Sequence, residues 1–356
     1  MSTIDFGKTV TLAEATDLIC MNPDVRYELT GEPGVGKTSQ VSTISARYPN
    51  HAVAIINVPE TDLGDVAMPV IDHVEKVTRF YPNARFHVHT GRPVLICLDE
   101  FSKGTQAVKN MLHPLLEITN PRLGDIALHP DSIVFMTGNL TTDNVGDSHK
   151  AHTNNRKVKL RVSKPTAKAW LNDFAKPRGL NPVVCAWVDR NQHCMASYTE
   201  AGSDSNPYIY NPRKPQDAFV TGRSLEIASK QLYRREGMSQ NAMACALTGT
   251  LGMSAGLEIM AFIEYQDQLA SIDEIVSNPR FAPVPTASGA CAVLAYSAVH
   301  AADASNLSAL IQYFERIDAE WQAIFMQSLA SDVSKQSMAF RNGAFTNWME
   351  KNADLI

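Results

Sequence analysis

The stretch Gly31-Glu32-Pro33-Gly34-Val35-Gly36-Lys37-Thr38 spells G-x-x-x-x-G-K-[ST], a phosphate-cradling loop. Dense phosphate charge needs many donors at close range. Glycines let the backbone curl so that successive N–H groups point inward, with no Cβ to block the approach. In this pattern the Lys37 ammonium reaches the β- and γ-phosphates and the Thr38 hydroxyl ligates Mg²⁺. A helix opening near Lys37 would add the positive end of its dipole.

A second pair stands at the end of the apolar run Val94 to Leu98: Asp99-Glu100. A carboxylate at a strand tip beside a phosphate loop can hold Mg²⁺ through water, and its neighbour can orient or deprotonate an attacking water. A third tip follows Ile133 to Met136, where Thr137-Gly138-Asn139 ends the run. A polar side chain there would sit between the other two tips and could bond the lytic water.

These residues need a scaffold that lines up strand ends. Thr11 to Met21 reads as a helix, with Thr11 and Glu14 as a capping box. Arg26 to Leu29 is a short strand, less apolar than most strands that lead into such a loop. Thr38 to Arg47 is a helix stopped by Tyr48-Pro49-Asn50. Ala52 to Val58 reads as a buried strand. Loop and short hairpin strands follow to Val70, and Val74 to Phe86 is mixed. Thr105 to Glu117 has helical apolar spacing. Asn120 to Leu128 reads as a turn and hairpin, Thr141 to Asn155 as a polar loop, and Val158 to Val162 as the last strand. Strands alternating with helices, with the polar tips at strand C-termini, predict a parallel α/β sheet with a ligand in its switch-point crevice.

Beyond Pro165 the pattern is helical: Ala167 to Lys176, Pro182 to Arg190, Arg223 to Arg235, Gln240 to Thr250, Ala255 to Leu269 and Ile272 to Val276. Thr199 to Gln216 is rich in Ser, Asn and Pro and reads as a mobile insertion. Arg280 to Ala287 is a linker. Gly289 to Ala302, Asn306 to Ala330 and Phe340 to Lys351 form a terminal helical unit. The expected domains are therefore 1–165, an α/β nucleotide-binding core; 166–279, a helical lid; and 280–356, a C-terminal helical unit.

Composition narrows the function classes. The chain has 356 residues, 44% apolar and 19% charged, with a net charge of −5. A global basic footprint for nucleic acid is missing, although Lys150 to Lys168 is locally basic. No apolar run reaches the roughly 18 residues of a membrane span. MSTIDFGKTV lacks a signal-peptide core, so the expected location is cytoplasmic, without membrane contact. The six cysteines form no C-x-x-C pair, which predicts reduced, mostly buried thiols rather than metal ligands or disulfides.

The ordered set of phosphate loop, Asp99-Glu100, Asn139 and Thr221-Gly222-Arg223-Ser224-Leu225-Glu226 resembles the Walker A, Walker B, sensor 1 and sensor 2 motifs of AAA+ ATPases. Within that superfamily the chain resembles the MoxR group, bacterial or phage type, through Pro59 to Val70, His113 to Asn139 and the sensor 2 helix. Asn155-Arg156-Lys157 stands where that group has Asp-Arg-Phe, without the acidic and aromatic neighbours. The resemblance covers Thr11 to Pro279, and less specifically the tail around Tyr313 to Ile317.

The resemblance implies a P-loop AAA+ core with a parallel sheet, then a lid and a C-terminal helical unit. It implies ATP/ADP held by residues Gly31 to Ser39 (Gly31, Glu32, Pro33, Gly34, Val35, Gly36, Lys37, Thr38 and Ser39), with Mg²⁺ on Thr38 and Asp99. Glu100, Asn139 and Arg223 take catalytic and sensing roles. The neighbour's arginine completes each site of a homo-oligomeric ring, usually a hexamer. Arg156 is the candidate for that arginine, with Arg122 and Arg161 as alternatives. The group implies chaperone-like remodelling with a partner bearing a von Willebrand A-type domain, in a bacterial or phage-infected cytoplasm. The alternative is a nucleic-acid motor or loader, as in the MCM and McrB-type branch.

Overall fold

The computed structural model describes residues 8–140, 155–214 and 216–355, so the expected loop at 141–154 lies outside the described residues. The chain divides into two compact units, 1–164 and 165–356.

The first unit opens with α1 (Leu12–Met21), capped reciprocally by Thr11 and Glu14. Strand β1 (Tyr27–Thr30) leads into the glycine loop and then α2 (Gln40–Arg47). Strand β2 (Ala52–Asn57) precedes a single helical turn, α3 (Leu63–Val66). A hairpin follows, β3 (Ala67–Asp72) against β4 (Val77–Pro82). Next come β5 (Val94–Asp99), α4 (Gln106–Leu112), the small hairpin β6 (Arg122–Leu123) and β7 (Ile126–Ala127), then β8 (Ile133–Gly138) and β9 (Val158–Arg161).

Five strands form one parallel sheet in the order β2-β5-β8-β1-β9. Register explains the site. Leu98 pairs with Met136, and Thr30 pairs with Gly138. The tips of the three central strands therefore stand side by side, and each runs directly into one of the polar motifs. This is a P-loop AAA+ α/β fold.

Alternation along β5 shows why its sequence is continuously apolar. Val94, Ile96 and Leu98 pack on one face with Val134, Met136, Phe101, Leu112 and Leu115. Leu95 and Cys97 pack on the other with Leu29, Phe135, Ala15, Ile19 and Ile44. A central parallel strand is covered on both faces, so both must be hydrophobic.

Three sequence expectations change here. Strand β2 is not fully buried: it is an edge strand, with Ala54 and Ile56 in the core but Val53 and Ile55 exposed. The helix after Thr105 stops at Leu112 and tightens to a 3₁₀ segment, His113–Leu116, because Pro114 supplies no N–H. The hairpin after α3 is longer than expected. It turns through Lys76 in the left-handed region and exposes Met68, Ile71 and Val74.

The second unit is helical. It contains α5 (Ala167–Trp170), extended by a π-turn to Ala175, then α6 (Pro182–Arg190), α7 (Gly222–Tyr233), α8 (Gln240–Leu251), α9 (Met253–Gln268) and α10 (Ile272–Ser277). Beyond these lie α11 (Ser288–Ala301), α12 (Leu307–Phe314), α13 (Ala319–Ser331), α14 (Gln336–Arg341) and α15 (Gly343–Lys351).

One core runs through this unit from Ala167 to Trp348. The helical stretch Asn306 to Ala330 breaks between Phe314 and Ala319 into two helices, which stack Phe314 on Phe325 with centroids 4.1 Å apart. The polar stretch 199–216 is anchored rather than loose in its described part. Tyr208 and Ile209 are buried, and the Tyr208 hydroxyl donates to Glu258 at 2.7 Å. The Arg280 to Ala287 linker is also tied down: Arg316 donates to the carbonyls of Pro279 and Ala282. Of the cysteines, Cys245 is exposed, Cys20 half-buried and the other four buried, all as free thiols.

Candidate nucleotide-binding site

The loop from Gly31 to Ser39 is shaped by its glycines. Gly34 and Gly36 hold φ of 73° and 102°, a region that L side chains rarely adopt. At Gly36 a Cβ would also crowd Ser39 Oγ and Leu12. Gly31 passes so close to β9 that a Cβ would meet the Val162 carbonyl at 3.0 Å. Regular helix begins at Gln40, two residues later than Thr38. The intervening turn uses shorter-range bonds, Gln40 N to Lys37 O and Val41 N to Thr38 O, while Ser39 Oγ donates to Gly36 O at 2.7 Å.

Lys37 is buried at 8% exposure. Its Nζ donates to the carbonyls of Gly31 and Glu32 at 2.8 and 2.9 Å and lies 3.5 Å from Asn139 Oδ1. The ammonium is thus fixed inside its own loop and aimed at the tip of β8. The Thr38 hydroxyl donates to Asp99 Oδ1 at 2.8 Å. Lys37, Thr38, Asp99 and Asn139, from three strand tips, are brought together.

Thr137 was missed as a site residue. Its hydroxyl donates to Asp99 Oδ1 and accepts from the Glu100 N–H at 3.0 Å, so it orients both acidic residues. The only signal was a polar residue just past the apolar run IVFM. Glu100 holds φ of 51°, an uncommon region for a residue with a Cβ. Its Oε2 is 2.6 Å from Lys103 Nζ, a half-exposed ion pair.

Thr38 and Asp99 suit a hard cation. Among the described residues no group of three or more His, Cys, Asp or Glu side chains could hold a metal by itself. Mg²⁺ does not require one: it takes one or two protein oxygens and completes its shell with substrate phosphates and water. The positive-φ loop, the buried lysine and this oxygen pair all fit a Mg–nucleotide.

Arg156 stands apart from the phosphate loop's own contacts. Its Nη1 is 2.7 Å from a His113 ring nitrogen and 3.8 Å from Glu117 Oε1. Arg122 approaches the other oxygen of Glu117 at 3.8 Å. Two of the three arginine candidates therefore share one acidic anchor, which the sequence reading did not single out. The third, Arg161, ends β9 opposite Thr30. Arg223 lies in the second unit, exposed, in the first turn of α7, whose N-cap Thr221 is in a capping box with Ser224.

Residues 28–140 match the family model of the AAA domain, dynein-related subfamily. The match runs from β1 to just past Asn139 and so takes in every residue assembled at the three strand tips. It supports nucleotide binding and ATPase activity. Among solved structures, a "putative ATPase" from Cytophaga hutchinsonii ATCC 33406 is similar. It is 12% identical, with 90% of this chain and 80% of that chain covered and a TM-score of 0.31. No curated protein matches the chain. No helix among the described residues is long and apolar enough to cross a membrane.

Proposed function

We propose that this chain is a Mg²⁺-dependent ATPase of the MoxR-like kind, working as a homo-oligomeric ring, usually a hexamer, that remodels a protein partner. The observation that supports it best is the convergence of Lys37, Thr38, Asp99 and Asn139 from three strand tips.

Lys37 and the loop N–H groups hold the phosphate oxygens. Thr38 and Asp99 supply the protein oxygens for Mg²⁺, which when bound neutralises and orients the phosphates. Glu100 turns from Lys103 to accept a proton from the attacking water, and Asn139 aligns that water from the neighbouring tip. Arg156 leaves Glu117 and His113 to meet the γ-phosphate of an adjacent copy, where it stabilises the developing charge. Arg223 senses phosphate, and loss of the γ-phosphate is turned into movement of the helical lid. The expected partner bears a von Willebrand A-type domain, and the expected place is a bacterial or phage-infected cytoplasm.

Solution mass with and without ATP tests the ring, with Lys37→Ala as the reference that cannot retain phosphate. Assembly that ATP favours in the wild type and not in the variant supports the reading. A monomer under every condition contradicts it. The rival role, a nucleic-acid motor, draws less support from the basic stretch than its composition suggests, because the Lys157 side chain is buried in an ion pair. Salt-sensitive stimulation of ATP turnover by DNA would favour that role instead.

A further inference from the structure

Strand β1 carries a charged residue in the middle of the sheet. Glu28 is 0% exposed, and its Oε2 is 2.7 Å from the Nζ of Lys157, whose side chain is 1% exposed. Burying two charges is costly, and the arrangement holds only while both are present. Its neighbours are specific. Lys157 Nζ lies 5.9 Å from the ring centroid of Phe101, the residue after Glu100. Glu28 Oε1 lies 3.3 Å from the point where a Cβ on Gly138 would stand, and Gly138 precedes Asn139. Lys157 itself follows Arg156.

The pair is one side of a frame. Just before β1, Arg26 Nε donates to the Leu115 carbonyl at 3.0 Å. Leu115 belongs to the segment that presents His113 and Glu117 to Arg156. At the start of β9, Val158 N donates to Arg26 O at 2.7 Å. Arg156 is therefore bracketed by contacts that return to β1, through Glu28, and to Arg26 just before it.

We infer that Glu28 and Lys157 are positioning residues: their buried ion pair fixes Arg156 in register with the chain's own β1, so that the arginine is presented correctly to the neighbouring copy's nucleotide. The inference rests on the trans role proposed above for Arg156. Neither residue touches nucleotide. Their loss acts on turnover at the next subunit and leaves nucleotide binding at the subunit's own loop intact.

Subunit mixing tests this. Glu28→Gln/Lys157→Met removes both charges, so no unpaired charge is left buried. The double variant is expected to bind a fluorescent ATP analogue as the wild type does and to hydrolyse ATP at least about tenfold more slowly, since an ångström of misplacement costs on the order of 10²-fold. Mixed in equal amounts with Glu100→Gln, itself inactive, it should regain activity towards about a quarter of the wild-type rate. That is the share of boundaries in a ring that join an intact site to a well-placed arginine. Arg156→Ala mixed with Glu100→Gln is the reference and should recover likewise.

Recovery with Arg156→Ala but not with the double variant would overturn the positioning role, as would wild-type turnover by the double variant alone. Weakened analogue binding by the double variant would place its effect on its own loop and also overturn the inference. Failure of Arg156→Ala to lose activity, or to recover on mixing, would remove the trans reading and this inference with it. Absence of hydrolysis in the wild type would instead fault the ATPase reading itself.

Discussion

The Thr38 hydroxyl donates to the Asp99 carboxylate across 2.8 Å, although the two residues are 61 positions apart in the chain. The contact joins the glycine loop to the tip of β5 and defines where a hard cation fits. Thr137 holds the other side of the same Asp99 oxygen. Thr137→Val keeps the shape and removes the hydroxyl. A residue that orients a metal ligand is worth about 10- to 100-fold in metal affinity or activity. The Mg²⁺ concentration for half-maximal turnover should rise accordingly. An unchanged Mg²⁺ titration would contradict the assigned role of Thr137.

Lys103 holds the Glu100 carboxylate in an ion pair. The pair is short at 2.6 Å but partly exposed, with 30% and 38% of the two side chains accessible. Such pairs contribute about 0.2–1 kcal/mol, so Lys103→Met should raise ATP turnover by no more than about fivefold and leave KM for ATP unchanged. Steady-state kinetics decides it. A tenfold fall would make Lys103 a participant in the reaction.

Helices α8 and α9 touch through Gly256. A Cβ there would lie 2.6 Å from the Thr248 backbone, so Gly256→Ala must push the two helices apart. Overpacking of this kind costs about 1–3 kcal/mol. The thermal midpoint should fall by several degrees, read by circular dichroism. Any rise would show that the helices separate freely.

The helical unit should lose stability in mild acid. Burial, and then the positive Lys335, hold the His300 imidazole below its ordinary value of 6.5. The Tyr233 ring packs nearby, at 6.3 Å between centroids. With the folded value depressed, the unfolded chain binds more protons in this window. Stability is therefore complete above pH 6.5 and is lost as pH falls through the folded value. Urea midpoints at about pH 7.5 and 5.5 should differ in the wild type and differ less in His300→Gln. An equal difference in both would assign the acid sensitivity to other groups.

Much of the first unit was legible because its signals are local. The glycine pattern, the apolar runs of β5 and β8 and the polar tips follow from short-range chemistry, and the sheet placed Lys37, Thr38, Asp99 and Asn139 together. What escaped depended on tertiary neighbours. Ile55 looks as buried as Ile96 in sequence, yet one lies on an edge strand and the other in the centre. The break between Phe314 and Ala319 follows from the packing of Phe314 on Phe325, and the apolar spacing runs straight through it. Two oddities in the sequence turn out to be one structure. Strand β1 is short of apolar residues, and a lysine, Lys157, stands at the entrance to the last strand. They are the two halves of the Glu28–Lys157 pair, and neither alone names its partner. Thr137 and Glu117 were missed for the same reason: each acts on side chains that only the fold brings near.

The role proposed for Glu100 is in the chemical step, where it takes the proton of the attacking water. Purified wild type and Glu100→Gln should be compared for ATP binding and for phosphate release in the same buffer. The variant should bind ATP about as well as the wild type while its turnover falls on the order of 10²-fold or more, as expected when the group that takes the water's proton is neutralised. Equal turnover in the two proteins would contradict it.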